Sequence, residues 1–107
     1  MSISIVCTFN GKARPLEIQS DSIVIGRNST NNQPDLDLGA DKSISRKHAR
    51  IWREDGKFWV EDLGSTLGTY VNGLRRPRLQ IRFGDQIKVG QTVLEIMPSS
   101  LTDLGAE

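Results

Sequence analysis

The chain has 107 residues, of which 36% are hydrophobic and 25% charged, with 14 Lys and Arg against 13 Asp and Glu. This length corresponds to one domain that can bury a core without help from disulfides or metal. A net charge of +1 argues against nucleic acid or an anionic membrane as the main partner, because such contacts usually leave a large basic excess.

Cysteine and histidine counts exclude further classes of protein. The lone Cys7 cannot form an internal disulfide, and one cysteine with one histidine (His48) cannot build the usual four-ligand zinc site. No apolar run approaches the length of a membrane span, and the first ten residues lack the Lys or Arg of a secretory signal. We therefore expect a cytoplasmic domain with no metal and no cofactor.

Short segments with alternating hydrophobic residues recur along the chain between turn residues. The first covers residues 3–9, and Asn10-Gly11 after it predicts a hairpin. Asp55-Gly56 predicts a second hairpin between residues 49–52 and 58–60. The other candidate strands are 16–18, 23–25, 70–71, 79–83, 86–89 and 93–96. No window has helical periodicity over three turns, so we expect an all-β sandwich or barrel over residues 1–97 and a flexible tail or linker at 98–107.

Two long connections interrupt the strands, at residues 26–48 and 62–69. Such loops in a compact β domain are usually functional or disordered. Both are rich in hydrogen-bond donors, and Gly64 and Gly68 would let backbone amides approach a ligand closely. Cations, hydroxyls and bare amides together suit a phosphate dianion. The donors are Arg27, Ser43, Ser45, Arg46, Lys47, Ser65, Thr66 and Thr69.

Four motifs in order resemble the signatures of forkhead-associated (FHA) domains. They are Gly26-Arg27, Ser45-Arg46-Lys47-His48, the segment Asp62-Leu63-Gly64-Ser65-Thr66-Leu67-Gly68-Thr69-Tyr70-Val71-Asn72-Gly73, and Gly84-Asp85-Gln86-Ile87-Lys88-Val89-Gly90. The resemblance covers residues 3–97. It implies a twisted β-sandwich of two mostly antiparallel sheets, of the FHA/SMAD type, with loops at one end that bind phosphothreonine peptides.

The resemblance implies that Arg27, Ser45, Arg46 and Thr66 bind the phosphate. Arg27 would grip it bidentately, a geometry that Lys cannot reproduce; the structural alternative is an ion pair with Asp35, Asp37 or Asp41. For Ser45 and Thr66 the alternative is an ordinary turn residue, and for Arg46 a solvated surface cation. A phosphate carries about −1.5 to −2 charges, so this site should prefer a phosphopeptide to an acidic mimic. In the family, a small pocket for the threonine methyl group excludes phosphoserine.

Three further residues would support the loops in this family pattern: Gly26, His48 and Gly68. The ring of His48 would hold the binding loops in shape through hydrogen bonds. A nucleophile–base pair of Ser45 and His48 is the competing interpretation, but a hydrolase also needs an orienting acid and an oxyanion hole. Nothing near these residues has the context of a nucleophile elbow. We therefore expect a protein that is not an enzyme.

Peptide contacts are implied for Lys42, Ser43, Leu67 and Asn72. Lys42 and Ser43 occupy the region that reads residues downstream of the phosphothreonine, and Lys42 suggests an acidic preference there. Asn72 would tie loops together or touch the peptide backbone, or else simply form an Asn-Gly turn. Leu67 departs from the family, which usually has an Asn that hydrogen-bonds the peptide main chain. Losing this hydrogen bond costs about 0.5–1.5 kcal/mol of binding free energy, or roughly tenfold in affinity.

Two functions remain open from these residues. The first is a phosphothreonine-binding module that recruits a Thr-phosphorylated partner, or a phosphorylated segment of its own parent protein, in Ser/Thr kinase signalling. The second is a phosphate-independent interaction or self-assembly domain on the same fold, which has lost the peptide tether at Leu67. We expect an isolated domain to be monomeric and to bind neither nucleic acid nor membrane.

Two remaining groups of side chains are expected to be structural. Four arginines lie close together in the sequence, but they lack interleaved aromatic residues for base stacking, so we interpret them as a solvated face. They are Arg75, Arg76, Arg78 and Arg82. Trp52, Phe58 and Trp59 are expected to pack in the sandwich. At least one tryptophan should be partly exposed, because both are out of phase with their apolar neighbours.

Overall fold

A computed structural model describes residues 2–98 of the chain, so the predicted tail lies outside the described residues except for Pro98. Over these residues the chain forms eleven strands and no helix. The strands are β1 (Ile3–Phe9), β2 (Lys12–Ile18), β3 (Ser22–Gly26), β4 (Leu36–Asp37), β5 (Lys47–Glu54), β6 (Lys57–Asp62), β7 (Thr69–Val71), β8 (Leu74–Arg75), β9 (Arg78–Ile81), β10 (Ile87–Val89) and β11 (Thr92–Met97).

These strands form two sheets. One has the order β2-β1-β11-β10-β7-β8 and the other β4-β3-β5-β6-β9. The pair β3–β4 is parallel, and the other strand pairs are antiparallel. The prediction of an all-β sandwich with two mostly antiparallel sheets is therefore confirmed.

Alternation along the strands places one apolar face of each sheet in a shared core. In β1, for example, Ile3, Ile5 and Cys7 are buried while the residues between them are half-buried. The opposing sheet contributes Ile23, Ile25, Ile51, Phe58 and Val60 to the same cluster. Full burial of each such side chain contributes about 1.5–3 kcal/mol, so this core holds the two sheets together.

Trp52 and Trp59 lie on the outer face of the second sheet, so the prediction that they pack inside the sandwich is wrong. They face each other across β5 and β6 and stack with ring centroids 6.3 Å apart. Ile51 and Val60 take the inward positions instead. Arg50 covers the Trp52 ring at 4.5 Å, which helps to leave Trp52 only 6% exposed. Trp59 is half-buried, as expected for one of the two.

Both hairpin predictions are confirmed. Asn10 and Gly11 have φ values of 53° and 75°, and Asp55 and Gly56 have 54° and 74°, as type I′ turns require. The sequence did not predict β4 and β8, whose two residues each are too few to show a period, and β9 ends at Ile81 rather than at residue 83. The connections after β3, before β5 and after β6 meet at one end of the sandwich.

Candidate functional site

An open cleft of about 550 Å³ lies where these connections meet. Arg27, Ser45, Arg46 and Thr66, the four predicted phosphate-binding residues, all line it. Its other lining residues are Ser29, Asn31, Asn32, Lys47, Leu63 and Gly64. We refer to this site as the polar cleft. It brings three cations together with hydroxyl and amide donors, and no acidic residue lines it.

The half-buried Arg27 side chain is held by a backbone carbonyl rather than by a carboxylate. Its Nε donates to the Ile44 carbonyl oxygen at 3.1 Å, and within residues 2–98 it forms no ion pair. The three aspartates considered as partners accept hydrogen bonds elsewhere; they are Asp35, Asp37 and Asp41. The terminal nitrogens of Arg27 are therefore free to donate to an anion in the cleft.

Ser45 joins the two loops directly. Its Oγ accepts a hydrogen bond of 3.0 Å from the backbone N–H of Thr66, 21 residues away. Because the oxygen is the acceptor, the hydroxyl proton remains available for a ligand. Thr66 is itself exposed at the rim of the cleft. The side chain of Arg46 is also exposed, and it forms no hydrogen bond or ion pair with residues 2–98.

His48 is fully buried behind the cleft and bridges the same two loops. Its Nδ1 accepts from the Ser45 N–H at 3.1 Å, so Nε2 carries the proton and donates to the Gly68 carbonyl at 2.9 Å. Both ring nitrogens are thus engaged by backbone groups. Neither is left to serve as a base for the Ser45 hydroxyl, and this argues against a nucleophile–base pair.

A close backbone approach explains the glycine before Arg27. A β-bulge between Ile25 and Gly26 shifts the register of β3 against β5. A Cβ on Gly26 would overlap the carbonyl oxygen of Arg46. The same carbonyl accepts from the Arg27 N–H at 3.2 Å and from Asn32 Nδ2 at 2.7 Å. Sequence reasoning missed Asn32, which carries no motif signal.

Asp62 organises the loop that contributes Thr66. Its carboxylate accepts from the N–H groups of Gly64 and Ser65, and from the hydroxyls of Ser65 and Thr69, at 2.5–3.0 Å. Burial alone would raise the pKa of Asp62, but these hydrogen bonds outweigh it and hold the pKa below its usual value. Asp62 was also missed as a loop organiser, although an Asp whose side chain can accept from the backbone N–H two residues on, here that of Gly64, is typical of an Asx-turn.

Asp41 plays a similar part in the loop before β5. It is 2% exposed and accepts from Ser43, from the Gln91 N–H and from the Thr92 hydroxyl, so it ties this loop to the opposite sheet. Burial opposes the charge, but the hydrogen bonds from Ser43, Thr92 and Gln91 again lower the pKa. The Ser43 hydroxyl therefore donates to Asp41, and Lys42 beside it is exposed. The contacts of Ser43 and Lys42 with a peptide stay predictions.

The remaining predicted contacts lie beyond Thr66. Leu67 is 48% exposed, and Gly68 has a φ of 89°. The side-chain amide of Asn72 donates to Asp85 and accepts from the Gln86 N–H, both at 3.0 Å. Asn72 therefore ties two turns together, which is one of the roles considered for it. Its contact with a peptide stays a prediction.

Within residues 2–98, no group of three His, Cys, Asp or Glu side chains is placed to hold a metal ion. The same part of the chain has no helix long and apolar enough to cross a membrane.

The sequence of this chain is also similar to those of known proteins. The FHA domain family model matches residues 23–90. The FHA domain-containing protein FhaB of Mycolicibacterium smegmatis is 33% identical over 95 residues, which cover 80% of this chain and 61% of that protein. The chain thus spans about three fifths of this relative's length.

Two solved structures give the same result. One comes from work on phosphothreonine-dependent FHA domain interactions: it is 27% identical, with a TM-score of 0.75, over 90% of this chain and 95% of that one. The other is the FhaA FHA domain complexed with the intracellular domain of Rv3910, with the same identity and TM-score over 90% of this chain and all of that one. The chain belongs to the FHA domain family.

Proposed function

We propose that this domain binds phosphothreonine peptides through the polar cleft and recruits a Thr-phosphorylated partner, as a non-enzymatic module in Ser/Thr kinase signalling. The observation that carries the proposal is the convergence of Arg27, Ser45, Arg46 and Thr66 on one cleft without an acidic residue. Relatives whose FHA domains act in phosphothreonine-dependent interactions support the same function.

Charge and preorganisation favour a phosphate over a carboxylate ligand. A phosphate dianion carries more charge than an Asp or Glu side chain and has more acceptor oxygens. Because Ile44 fixes the Arg27 guanidinium and Thr66 fixes the Ser45 hydroxyl, a ligand would not have to order these donors itself. Phosphothreonine binding would therefore use donors already aimed into the cleft.

The exposed side chain of Leu67 favours a second candidate, a phosphate-independent interaction domain. The side chain of Leu67, next to Thr66, is 48% exposed and has no group that can hydrogen-bond a peptide main chain, but it offers an apolar contact. This function requires neither Arg27 nor Ser45, so the two candidates differ in their response to mutation of the cleft.

The test is a titration of the 107-residue protein with a degenerate phosphothreonine peptide library, followed by calorimetry with the best peptide. We expect binding of this peptide, little binding of its unphosphorylated form, and weaker binding of the phosphoserine form. Arg27→Ala should abolish binding, because charge-assisted hydrogen bonds are worth about 1.5–3 kcal/mol each. Arg27→Lys should restore little, since Lys cannot reproduce the bidentate geometry.

Lys57→Ala provides the control, because it also removes one exposed positive charge but lies in the hairpin that begins β6. It should leave the affinity unchanged. Equal affinity of the phosphorylated and unphosphorylated peptides would overturn the proposal. A natural partner whose affinity survives Arg27→Ala would support the phosphate-independent function instead.

A further inference from the structure

A second depression lies on the other side of the loop that carries Thr66. It has a volume of about 490 Å³ and runs over the outer face of the first sheet, across β7, β10 and β11. Its lining residues are Leu67, Gly68, Tyr70, Asn72, Gly73, Gln86, Lys88, Gly90 and Val93. We call it the Tyr70 groove. Tyr70, Lys88 and Val93 face one another across the three strands, so they form its floor.

Two cations belong to this surface. Lys88 lies on the floor between Tyr70 and Val93. Arg75 pairs with Tyr70 across β7 and β8, so its side chain lies on the same face of the sheet. Arg75 also lies directly against Gly68, where a Cβ would overlap its guanidinium. Both cations are exposed, and neither forms a hydrogen bond or ion pair with another residue of the range 2–98.

The charge of the groove is one-sided. No acidic residue lines it. Asp85, next to it, accepts from Asn72 and from the Arg82 N–H, and Glu95 lies on the same face two residues beyond Val93 along β11. Apolar surface from Leu67, Tyr70 and Val93 beside two unpaired cations fits a chain segment that combines an apolar side chain with a carboxylate.

The groove and the polar cleft are neighbours on the surface. Thr66 lines the cleft and the next residue, Leu67, lines the groove, so the two sites lie on either side of one loop. We infer that the Tyr70 groove binds the segment flanking the phosphothreonine of the same partner, and that Arg75 and Lys88 select an acidic residue there next to an apolar one. This inference rests on the proposed function and adds the chemistry of the partner's flanking sequence.

Lys42 is the competing source of an acidic preference, because it lies in the loop before β5. The two sources can be separated by mutation, because Lys42 lies in the loop before β5, whereas Arg75 and Lys88 lie on β8 and β10 of the first sheet. Arg75→Gln removes the guanidinium and its charge but keeps the carbons of the side chain up to Cδ and a polar end. Arg75→Gln is therefore preferable to a truncation.

The experiment randomises both flanks around a fixed phosphothreonine and selects for binding to the 107-residue protein. We expect enrichment of Asp or Glu together with an apolar residue in one flank. The best peptide and its acid-to-Ala version are then titrated against the unchanged protein, Arg75→Gln, Lys88→Gln and Lys42→Gln, with Lys57→Gln as the charge-matched control. Each groove substitution should weaken binding of the acidic peptide about two- to fivefold, as expected for exposed ion pairs.

The same substitutions should leave the acid-to-Ala peptide unaffected, and the twofold to fivefold loss should shrink at high salt. Arg75→Gln and Lys88→Gln variants that behave like Lys57→Gln would overturn the inference, and so would an acidic preference that depends on Lys42 alone. In both cases phosphothreonine binding would persist and the proposed function would stand. Absence of any phosphorylation-dependent binding would overturn both proposals together.

Discussion

The polar cleft and the Tyr70 groove lie on opposite sides of residues 63–68, and they are built on different principles. In the cleft, two of the donors are fixed by the protein itself: Ile44 orients Arg27, and Thr66 orients Ser45. In the groove, Arg75 and Lys88 are exposed cations without partners among the described residues. The cleft thus offers preordered donors, whereas the two cations of the groove would have to be ordered by a ligand.

His48 couples the two regions. One ring nitrogen accepts from the Ser45 N–H on the cleft side, and the other donates to the Gly68 carbonyl on the groove side. The buried ring therefore fixes the spacing between Ser45 in the cleft and Gly68 at the start of the groove. A partner that engages both regions would meet a surface whose two parts are held at a constant distance.

The largest predicted effect is a disruption of the polar cleft by a substitution at Gly26. Gly26→Ala places a Cβ on the carbonyl oxygen of Arg46, a backbone atom that cannot move without shifting the loop before β5. We expect a loss of about 3 kcal/mol of unfolding free energy, at the upper end for overpacking, measured by urea denaturation. Phosphopeptide affinity should fall as well, because Arg27 and Ser45 depend on that loop.

Gly11→Ala is the matched control, because Gly11 has a φ of 75° but nothing within 4 Å of an added Cβ. It should cost about 1–2 kcal/mol through its left-handed conformation alone and leave peptide affinity unchanged. If Gly26→Ala were no more destabilising than Gly11→Ala, the close approach of β3 to the Arg46 carbonyl would not constrain the site.

The next prediction concerns the loop that both regions share. Asp62 has a lowered pKa in the folded state, so the unfolded chain takes up a proton first as the pH falls. Its contribution to stability is fully present above the unfolded value of about 3.9 and is lost as the pH falls through the lower folded pKa. The lowered pKa of Asp41 adds a loss in the same window. The unfolding free energy should therefore decline below about pH 4.

Asp62→Asn tests the assignment, since it removes the charge and keeps the size of the side chain. The variant should be less stable at neutral pH, and its stability should depend less on acid than that of the unchanged protein. Asp55→Asn, in the exposed turn between β5 and β6, should change neither. An unaltered acid slope in Asp62→Asn would show that other groups carry the acid sensitivity.

The sequence predicted those features of the fold and the site that depend on neighbouring residues. These are the alternating strands, the hydrogen-bond donors of two loops, and the hairpins at Asn10-Gly11 and Asp55-Gly56. The four donors predicted for the phosphate do line one cleft. The pairing of Arg75 with Tyr70, and of Lys88 with Val93, depends on strand order and register, which a single sequence does not reveal. The link from Asp41 to the other sheet was missed for the same reason, because Gln91 and Thr92 lie 50 and 51 residues away.

The smallest predicted effect concerns the boundary between the two regions, at Leu67. Leu67→Asn supplies the amide that the family usually has there, which can hydrogen-bond a bound peptide main chain. For a phosphothreonine peptide with alanine flanks, we expect binding about two- to tenfold tighter, from one hydrogen bond of about 0.5–1.5 kcal/mol. Calorimetry with such a peptide measures the gain directly.

Leu67→Ala separates the added hydrogen bond from the lost apolar contact. It should leave the alanine-flanked peptide unchanged and weaken a peptide that carries an apolar residue in the groove-binding flank. For that second peptide, Leu67→Asn should gain less, because the new hydrogen bond is offset by the lost contact with Leu67. If Leu67→Asn and Leu67→Ala bound the alanine-flanked peptide equally well, the side chain at position 67 would form no hydrogen bond with the peptide main chain. The cleft would then bind the phosphothreonine without that bond.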